Sequence, residues 1–353
     1  MYRFCLLLCG LFVSHVVLAE RDIERVGEAI SHPWGMDAID ERTVLVTSRQ
    51  SALFKIDIPS SQTSEVRGIP DSVAIGQGGL LDVVVRNSDI YLCYTKQVAN
   101  GRFTTAIFKA FLTNDRLSNG KDIFVSNHSS SAGYHFGCRL VIHDDELYAS
   151  LGDRGDRFNA QKPDNHAGSI IRISLTGAAI NSAQDDWLPE IHSIGHRNPQ
   201  GMTLMPNGEL WAHEHGPQGG DEINVIQRGR NYGWPVVSYG EEYGGGEIGL
   251  SYSPEGYTDP IWTWVPSIAP SGMSFYSGDM FPEIKGSLLV GSLKFRRIYS
   301  VKLNEKQQPI SESIWLDKEL GRIRDIAVMK DGSILVLNDQ ADGGLYRITE
   351  VKK

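Results

Sequence analysis

The amino-acid sequence predicts an all-β protein, a six-bladed β-propeller with four-stranded antiparallel blades. Three observations carry that expectation. Short β-branched and aromatic runs, each led by a polar turn, recur along the chain. Glycine is abundant, 37 of 353 residues, as many tight turns between short strands require. No long segment shows the 3.6-residue apolar period of an amphipathic helix.

The turn-led strands come in order. Asp40-Glu41 precedes Thr43 to Val46, Asn87-Ser88 precedes Ile90 to Leu92, and Asp144-Asp145 precedes Leu147-Tyr148. Pro206-Asn207-Gly208 precedes Leu210-Trp211, Lys285-Gly286 precedes Leu288 to Val290, and Lys330-Asp331-Gly332 precedes Ile334 to Val336. Six units at intervals of roughly 45–80 residues match propeller blades with insertions. The last strand, Gly344 to Ile348, is placed to close the ring against an N-terminal strand, which removes free sheet edges. No Pro/Ser-rich linker divides the chain, so residues 20–353 read as one domain. A β-sandwich is the alternative, disfavoured by the number of blade-like units.

Residues 1–19 read as a secretory signal. Arg3 supplies the basic start, Phe4 to Leu18 the apolar stretch, and Val17-Leu18-Ala19 the cleavage site before Glu20. The apolar run is shorter than the ~20 residues of a membrane span. An uncleaved N-terminal anchor is the other reading. Leu8 before Cys9 argues against a lipoprotein site. The mature chain is therefore expected in the periplasm or secreted. Cys5 and Cys9 leave with the signal; Cys93 and Cys138 remain, either as a disulfide or as two buried thiols. Acidic residues outnumber basic ones 43 to 34, for a net charge of -9. That balance repels nucleic acid and anionic lipid, so neither is an expected partner.

Chemistry gathers in the segments between strands, which a propeller brings together on one face. His135 in Gly133-Tyr134-His135-Phe136-Gly137, followed by Asp153 in Leu151-Gly152-Asp153-Arg154-Gly155-Asp156, suits a general base held by a carboxylate. Taken alone, it also suits an ordinary loop histidine. Gly195-His196-Arg197-Asn198-Pro199-Gln200-Gly201 offers a cation and two amides among turn formers, fit to grip a planar or anionic ligand. Glu214 to Glu222 is an acidic Gly/Pro-rich loop with the oxygens a hard cation wants, without EF-hand spacing. His213 and His215 raise a zinc reading that lacks a third ligand in register. Lys294 and the pair Arg322 and Arg324 are late cations. On a strand the two arginines share a face and repel unless an anion lies between them. No phosphate loop, H-E-x-x-H or G-x-S-x-G is present. Gly76-Gln77-Gly78-Gly79-Leu80 lacks the third glycine and the βαβ context of a dinucleotide fingerprint.

Taken together, these loops resemble the soluble quinoprotein glucose/sorbosone dehydrogenase family, most closely its bacterial aldose sugar dehydrogenases. The matching stretches are HPWGM (beginning at His32), GQGGLLDV (76–83), HFGCRL (135–140), LYASLGDRGDRFNAQ (147–161), GHRNPQGM (195–202), EHGPQGGDEINVI (214–226), NYGWP (231–235), PSIAPSGMSFYSGD (266–279) and GRIRD (321–325). They span the mature chain in family order. The resemblance implies His135 as catalytic base, Asp153 as the carboxylate that orients it, and Arg197 as a stabiliser of charge. It implies that Gln77, Arg197 and Asn198 contact pyrroloquinoline quinone (PQQ), and that Lys294, Arg322 and Arg324 hold its carboxylates. Tyr243, Gly244, Gly245 and Gly246 match a segment near that cofactor. Glu222 and the Tyr232 carbonyl match a structural calcium site, and the Gly216 and Pro217 carbonyls match ligands of a calcium that bridges protein and cofactor. The implied activity is PQQ- and Ca2+-dependent oxidation of aldose sugars at the anomeric carbon to lactones, with electrons passed to an external acceptor. The implied assembly is a monomer or homodimer, and the expected sugar range is broad. Cys138 departs from the family, which usually has a small residue there. The alternatives are a calcium-dependent propeller lactonase and a non-catalytic binding propeller.

Overall fold

The computed structural model describes residues 20–99 and 101–351; residues 1–19, read above as a secretory signal and holding Cys5 and Cys9, lie outside them. Twenty-five strands form six antiparallel sheets arranged as the blades of a propeller. Blade 1 runs through Pro33–Ala38, Thr43–Ser48, Ala52–Asp57 and Gln62–Glu65, and blade 2 through Leu80–Arg86, Asp89–Ala99, Arg102–Thr113 and Arg116–Val125. Blade 3 holds Leu140–His143, Glu146–Ser150, Ser169–Ser174 and Ile191–Ile194, with the short parallel strand Arg230–Asn231 added at its edge. Blade 4 holds Pro199–Leu204, Leu210–Glu214, Asp221–Ile226 and Trp262–Trp264, and blade 5 Pro270–Tyr276, Ser287–Ser292, Arg297–Leu303 and Pro309–Asp317.

Blade 6 is shared between the chain ends. Ile323–Val328, Ile334–Asn338 and Gly344–Glu350 are completed by Arg21–Val26, which pairs with Gly344–Glu350 from Arg21 opposite Glu350 to Val26 opposite Leu345. This is the closure expected from the terminal strand. Each of the six turn-led units lands on an inner hairpin of a different blade. Among the described residues the only helical turns are the 3-10 pieces Arg157–Gln161 and Pro282–Ile284.

The first strand of each blade lies innermost and touches the first strands of both neighbours, closing a ring around the axis. In five of the six blades this strand carries a bulge against the next, at Pro33/Met36, Leu80/Val83, Pro199/Gly201, Pro270/Met273 and Ile323/Asp325. A bulge bends a strand and re-aims its side chains, here at the rim of the channel. The apolar core lies between blades. Leu81, Tyr91 and Cys93 of blade 2 pack with Leu140, Leu147 and Ile171 of blade 3, and the other interfaces have their own clusters.

Arg139 fills the axis. Its Nη1 reaches Asp82 Oδ1 of blade 2 at 2.9 Å and Asp325 Oδ2 of blade 6 at 3.1 Å. Its Nε donates to the Gln200 carbonyl of blade 4 at 3.0 Å, and its guanidinium lies 4.5 Å from the ring centre of Trp34 in blade 1. A buried ion set of this kind holds register more than it adds stability, because desolvation offsets much of the attraction. Gly35 is required beside it: a Cβ there would lie 2.3 Å from Asp82 Oδ1.

Candidate functional site

The blade-connecting loops at one mouth of the channel form two adjoining cavities. One is built on His135, which sits in the loop between blades 2 and 3 with a left-handed backbone, φ 55°. Its Nδ1 lies 2.7 Å from Asp153 Oδ1, and its backbone N donates to Gln77 Oε1 at 2.9 Å. Asp153 is only 1% exposed, and both of its carboxylate oxygens are hydrogen-bonded. Oδ1 also accepts Gly155 N at 2.8 Å, and Oδ2 accepts Trp234 Nε1 at 2.9 Å. A carboxylate at Nδ1 fixes the neutral tautomer with Nε2 as the basic nitrogen. Burial lowers the His135 pKa; the Asp153 hydrogen bond works against this, and the Arg197 charge adds to it. For Asp153, burial alone would raise the pKa, but the His135 hydrogen bond and the nearby positive charges bring it below its ordinary value.

The His135 loop is pinned from three sides. Arg154, buried and itself left-handed at φ 57°, donates to the carbonyls of Tyr134 and Ala132, and its guanidinium stands 3.4 Å from the centre of the Phe136 ring. Cys138 is disulfide-bonded to Cys93 of blade 2, with Cα atoms 5.7 Å apart, which resolves the two readings of these cysteines. Gln77 holds the His135 amide, as above. The cavity, about 420 Å³, is walled by His135, Asp153, Arg157, Arg197, Trp234 and Tyr243 among others.

Gln77 also lines the second cavity, about 440 Å³, so the two adjoin. Here Arg49, Lys294, Arg322 and Arg324 face a single carboxylate, Asp339. Arg324, 7% exposed, donates from Nη2 to Asp339 Oδ2 at 2.7 Å and from Nη1 to Gln200 Oε1 at 3.3 Å, while its Nε is buried with no partner. Arg322 Nη2 lies 3.6 Å from the same Asp339 oxygen, and His32 Nδ1 is 2.8 Å from the other. Despite its burial, the Arg324 charge and hydrogen bond, the His32 hydrogen bond and the Arg49 charge hold the Asp339 carboxyl far below the usual carboxylate range. His215 adds no charge: burial pushes its pKa down to about 3, and its Nε2 donates to the Pro270 carbonyl at 2.6 Å. Asn198 lines the floor and spends its Oδ1 on Gly137 N at 3.2 Å.

Four cations against one carboxylate, with an orphaned guanidinium nitrogen, is a cradle for a polyanion. Asp339 Oδ2, within reach of both guanidiniums, offsets the mutual repulsion noted between Arg322 and Arg324. PQQ, a planar polycarboxylate, fits this donor set.

Arg197, 7% exposed, crosses to the His135 side. Its Nη1 donates to the carbonyls of His215 at 3.0 Å and Gly216 at 3.2 Å, and its guanidinium lies 5.3 Å from the Trp234 ring centre. The Gly216 carbonyl is thus already engaged by Arg197, while Pro217 lines the His135 cavity. Glu222 stands directly across the strand pair from Glu214. Burial, then the Glu214 charge, raises its pKa well above the ordinary value. Beside it Asn224 Nδ2 donates to Glu222 Oε2 at 3.3 Å, and Asn224 Oδ1 is buried without a partner. An orphaned amide oxygen next to an uncompensated carboxyl fits a hard cation such as calcium. Tyr232 stacks on His196 at 4.8 Å and ties its hydroxyl to Gln227 N at 2.8 Å. Among the described residues no three His, Cys, Asp or Glu side chains converge as a metal cage. In particular, His213 packs against Gly201 whereas His215 faces the cationic cavity.

Tyr243 lies on the His135 cavity, 72% exposed, and Gly244, Gly245 and Gly246 line neither cavity; a Cβ on any of the three would meet only open space. Of the segment expected near the cofactor, Tyr243 alone lines one of the two cavities. Residues not singled out from sequence include Trp34, Arg49 and Asp339 in the cationic cavity, and Arg157, Trp234 and Glu242 in the other. Trp34, Arg157 and Trp234 sit inside quoted motifs, which was the available signal. Arg49 and Asp339 stand alone at strand ends and carried none.

The comparisons with known proteins agree with this geometry. The Glucose / Sorbosone dehydrogenase family model matches residues 30–347. Aldose sugar dehydrogenase YliI of Escherichia coli (strain K12) is 33% identical over 344 residues, covering 93% of this chain and 92% of that one. Quinoprotein glucose dehydrogenase B of Acinetobacter calcoaceticus is 26% identical over 399 residues, covering 87% and 82%. The crystal structure of the soluble aldose sugar dehydrogenase from Escherichia coli in its apo-form superposes with a TM-score of 0.88 at 32% identity, over 94% of this chain and 100% of that one. A six-bladed propeller with these loops, this likeness and this family match is an oxidoreductase, and the chain belongs to the glucose/sorbosone dehydrogenase family.

Proposed function

We propose that this protein oxidises aldose sugars at the anomeric carbon to lactones, with PQQ in the cationic cavity and calcium as a second requirement. The observation that carries the reading is the junction of the two cavities at Gln77, which sets the His135–Asp153 pair beside a polyanion cradle. The quinoprotein name of the Acinetobacter relative supports the cofactor. Lys294, Arg322 and Arg324 would hold its carboxylates, and Gln77, Asn198 and Arg197 its remaining polar edge. When bound, the quinone supplies the acceptor for the hydride leaving the anomeric carbon and passes the electrons to an external acceptor.

His135 removes the proton of the anomeric hydroxyl at Nε2, and Asp153 steadies the imidazolium that forms. Arg197 offers positive charge where negative charge builds up on the reacting oxygens. The Gly216 and Pro217 carbonyls, and separately the Glu222 carboxylate with the Tyr232 carbonyl, would hold calcium, the Gly216 carbonyl being one that Arg197 also reaches. Residues 20–353 form one domain in this reading, exported after removal of the signal 1–19. No described helix is long and apolar enough to cross a membrane.

The test is dye-linked oxidation of an aldose panel by the purified mature protein, with and without added PQQ and calcium and with no nicotinamide present. Activity that requires both additions is expected. Lactone hydrolysis in the absence of any PQQ binding would replace this reading with the lactonase one.

A further inference from the structure

The outer wall of the His135 cavity carries an ion pair that the proton-transfer chemistry does not use. Arg157 opens the 3-10 turn Arg157–Gln161, and Glu242 begins a tight hairpin in which Glu242 N bonds the Gly246 carbonyl at 3.0 Å. The two side chains meet as a fork: Nη1 to Oε1 at 2.5 Å and Nη2 to Oε2 at 3.2 Å. Both line the cavity and both are partly open to it, 36% and 38% exposed. The Arg157 guanidinium lies 5.5 Å from the ring centre of Trp234, whose indole nitrogen holds Asp153. One indole therefore separates this pair from the His135–Asp153 pair. Gln218 anchors the hairpin, donating its side-chain nitrogen to the Glu242 carbonyl and its backbone N to the Glu241 carbonyl.

At the outer end of this wall the charges are those of Arg157 and Glu242, each taken up by the other. Arg197 donates to two backbone carbonyls and keeps its charge, which acts on His135 at the reacting end, and Asp153 is buried behind His135. A carboxylate or ammonium carried far from the anomeric carbon therefore finds no free counter-charge there and must break a bidentate pair to gain one. Uncharged hydroxyls, by contrast, can donate to the outer lone pairs of Glu242 and accept from the remaining guanidinium hydrogens without breaking it.

We infer that the Arg157–Glu242 pair is a charge filter: it reads the hydroxyls far from the anomeric carbon and restricts the site to uncharged sugars, against uronic acids and protonated amino sugars. The inference rests on the proposed sugar oxidation at His135. Removing either partner leaves the other as a free charge at the mouth, so the two removals act with opposite sign. Hydrogen-bond loss alone would act on all sugars in the same direction.

The experiment compares kcat/KM for glucose, glucuronate and 6-amino-6-deoxyglucose, at low ionic strength and a pH where the amine is protonated, in the reconstituted wild type, Glu242→Gln and Arg157→Gln. Glu242→Gln is expected to raise the glucuronate-to-glucose ratio about 10-fold, and Arg157→Gln to raise the aminoglucose-to-glucose ratio by a similar factor. Both gains shrink as salt is added. Glucuronate binding to the cofactor-free proteins, followed by calorimetry, reads the same filter without turnover and is expected to tighten in Glu242→Gln. Ratios that do not move, or that move the same way in both variants, overturn the filter. A wild type that oxidises no aldose overturns the proposed function instead, and calorimetry alone then decides whether the pair selects against charge.

Discussion

His135 Nδ1 lies 2.7 Å from Asp153 Oδ1, and the opposite oxygen of the same carboxylate is held by the Trp234 indole at 2.9 Å. The imidazole is thus fixed in tautomer and direction by a group that is fixed in turn, with the second support coming from a loop more than eighty residues downstream. Such layering is what a general base needs if its geometry is to survive the arrival of substrate.

Asp153→Asn is therefore expected to lower kcat by roughly 10²–10⁴. It also has a signed pH effect. Burial sets the His135 pKa below its ordinary 6.5, and Asp153 is the influence that raises it. The neutral, basic form is thus available at pH 7, and the acid limb of kcat/KM falls below 6.5 in the wild type. Loss of the Asp153 charge removes the raising influence, so the limb moves to still lower pH. A pH profile of kcat/KM for both proteins checks the sign; a limb that moves upward contradicts the assignment.

Arg324 is expected to dominate cofactor affinity among the three cations, because it is the most buried and retains a free Nε. Arg324→Met should weaken PQQ binding about 10- to 100-fold, the equivalent of ~1.5–3 kcal/mol for a hydrogen bond to a charged group. Arg324→Lys keeps the charge and loses the fork, so it should restore only part of the affinity. Titration of cofactor absorbance against the cofactor-free protein measures both.

The sequence made the blades legible because each is announced locally. A turn such as Lys330-Asp331-Gly332 and the apolar run after it lie within ten residues, and they become a turn and the strand Ile334–Asn338. The His135–Asp153 contact was legible for the same reason, the two lying eighteen residues apart in motif-dense loops. What was not legible depends on distances set only by the ring. Asp339 earns its place by meeting Arg324, Arg322 and His32, the last of which is at the other end of the chain. Arg157 and Glu242 are eighty-five residues apart and neither is unusual in its own segment. Tyr243, matched to a segment near the cofactor, walls the His135 cavity, a placement that sequence order does not give because a propeller mouth gathers every loop.

The Cys93–Cys138 bond was likewise undecidable from the chain, because forty-five residues separate cysteines that only the packing of blade 2 on the His135 loop brings together. Closing a loop of that size is expected to contribute ~2–4 kcal/mol. Cys93→Ala/Cys138→Ala should lower the free energy of unfolding by that amount, read as the urea midpoint of the oxidised wild type against the double variant. Equal midpoints would mean that the bond does not form in the purified protein or does not constrain the unfolded chain.

The most direct test of the central claim is a single-turnover measurement on His135→Ala loaded with PQQ and calcium, following the cofactor's absorbance after an aldose is added. The cations and amides proposed to hold the cofactor are untouched in this variant, so PQQ should bind with near wild-type affinity while its sugar-dependent reduction slows by roughly 10²–10⁴. Tight binding together with reduction at the wild-type rate would contradict the assignment of His135 as the base and, with it, the account of the site.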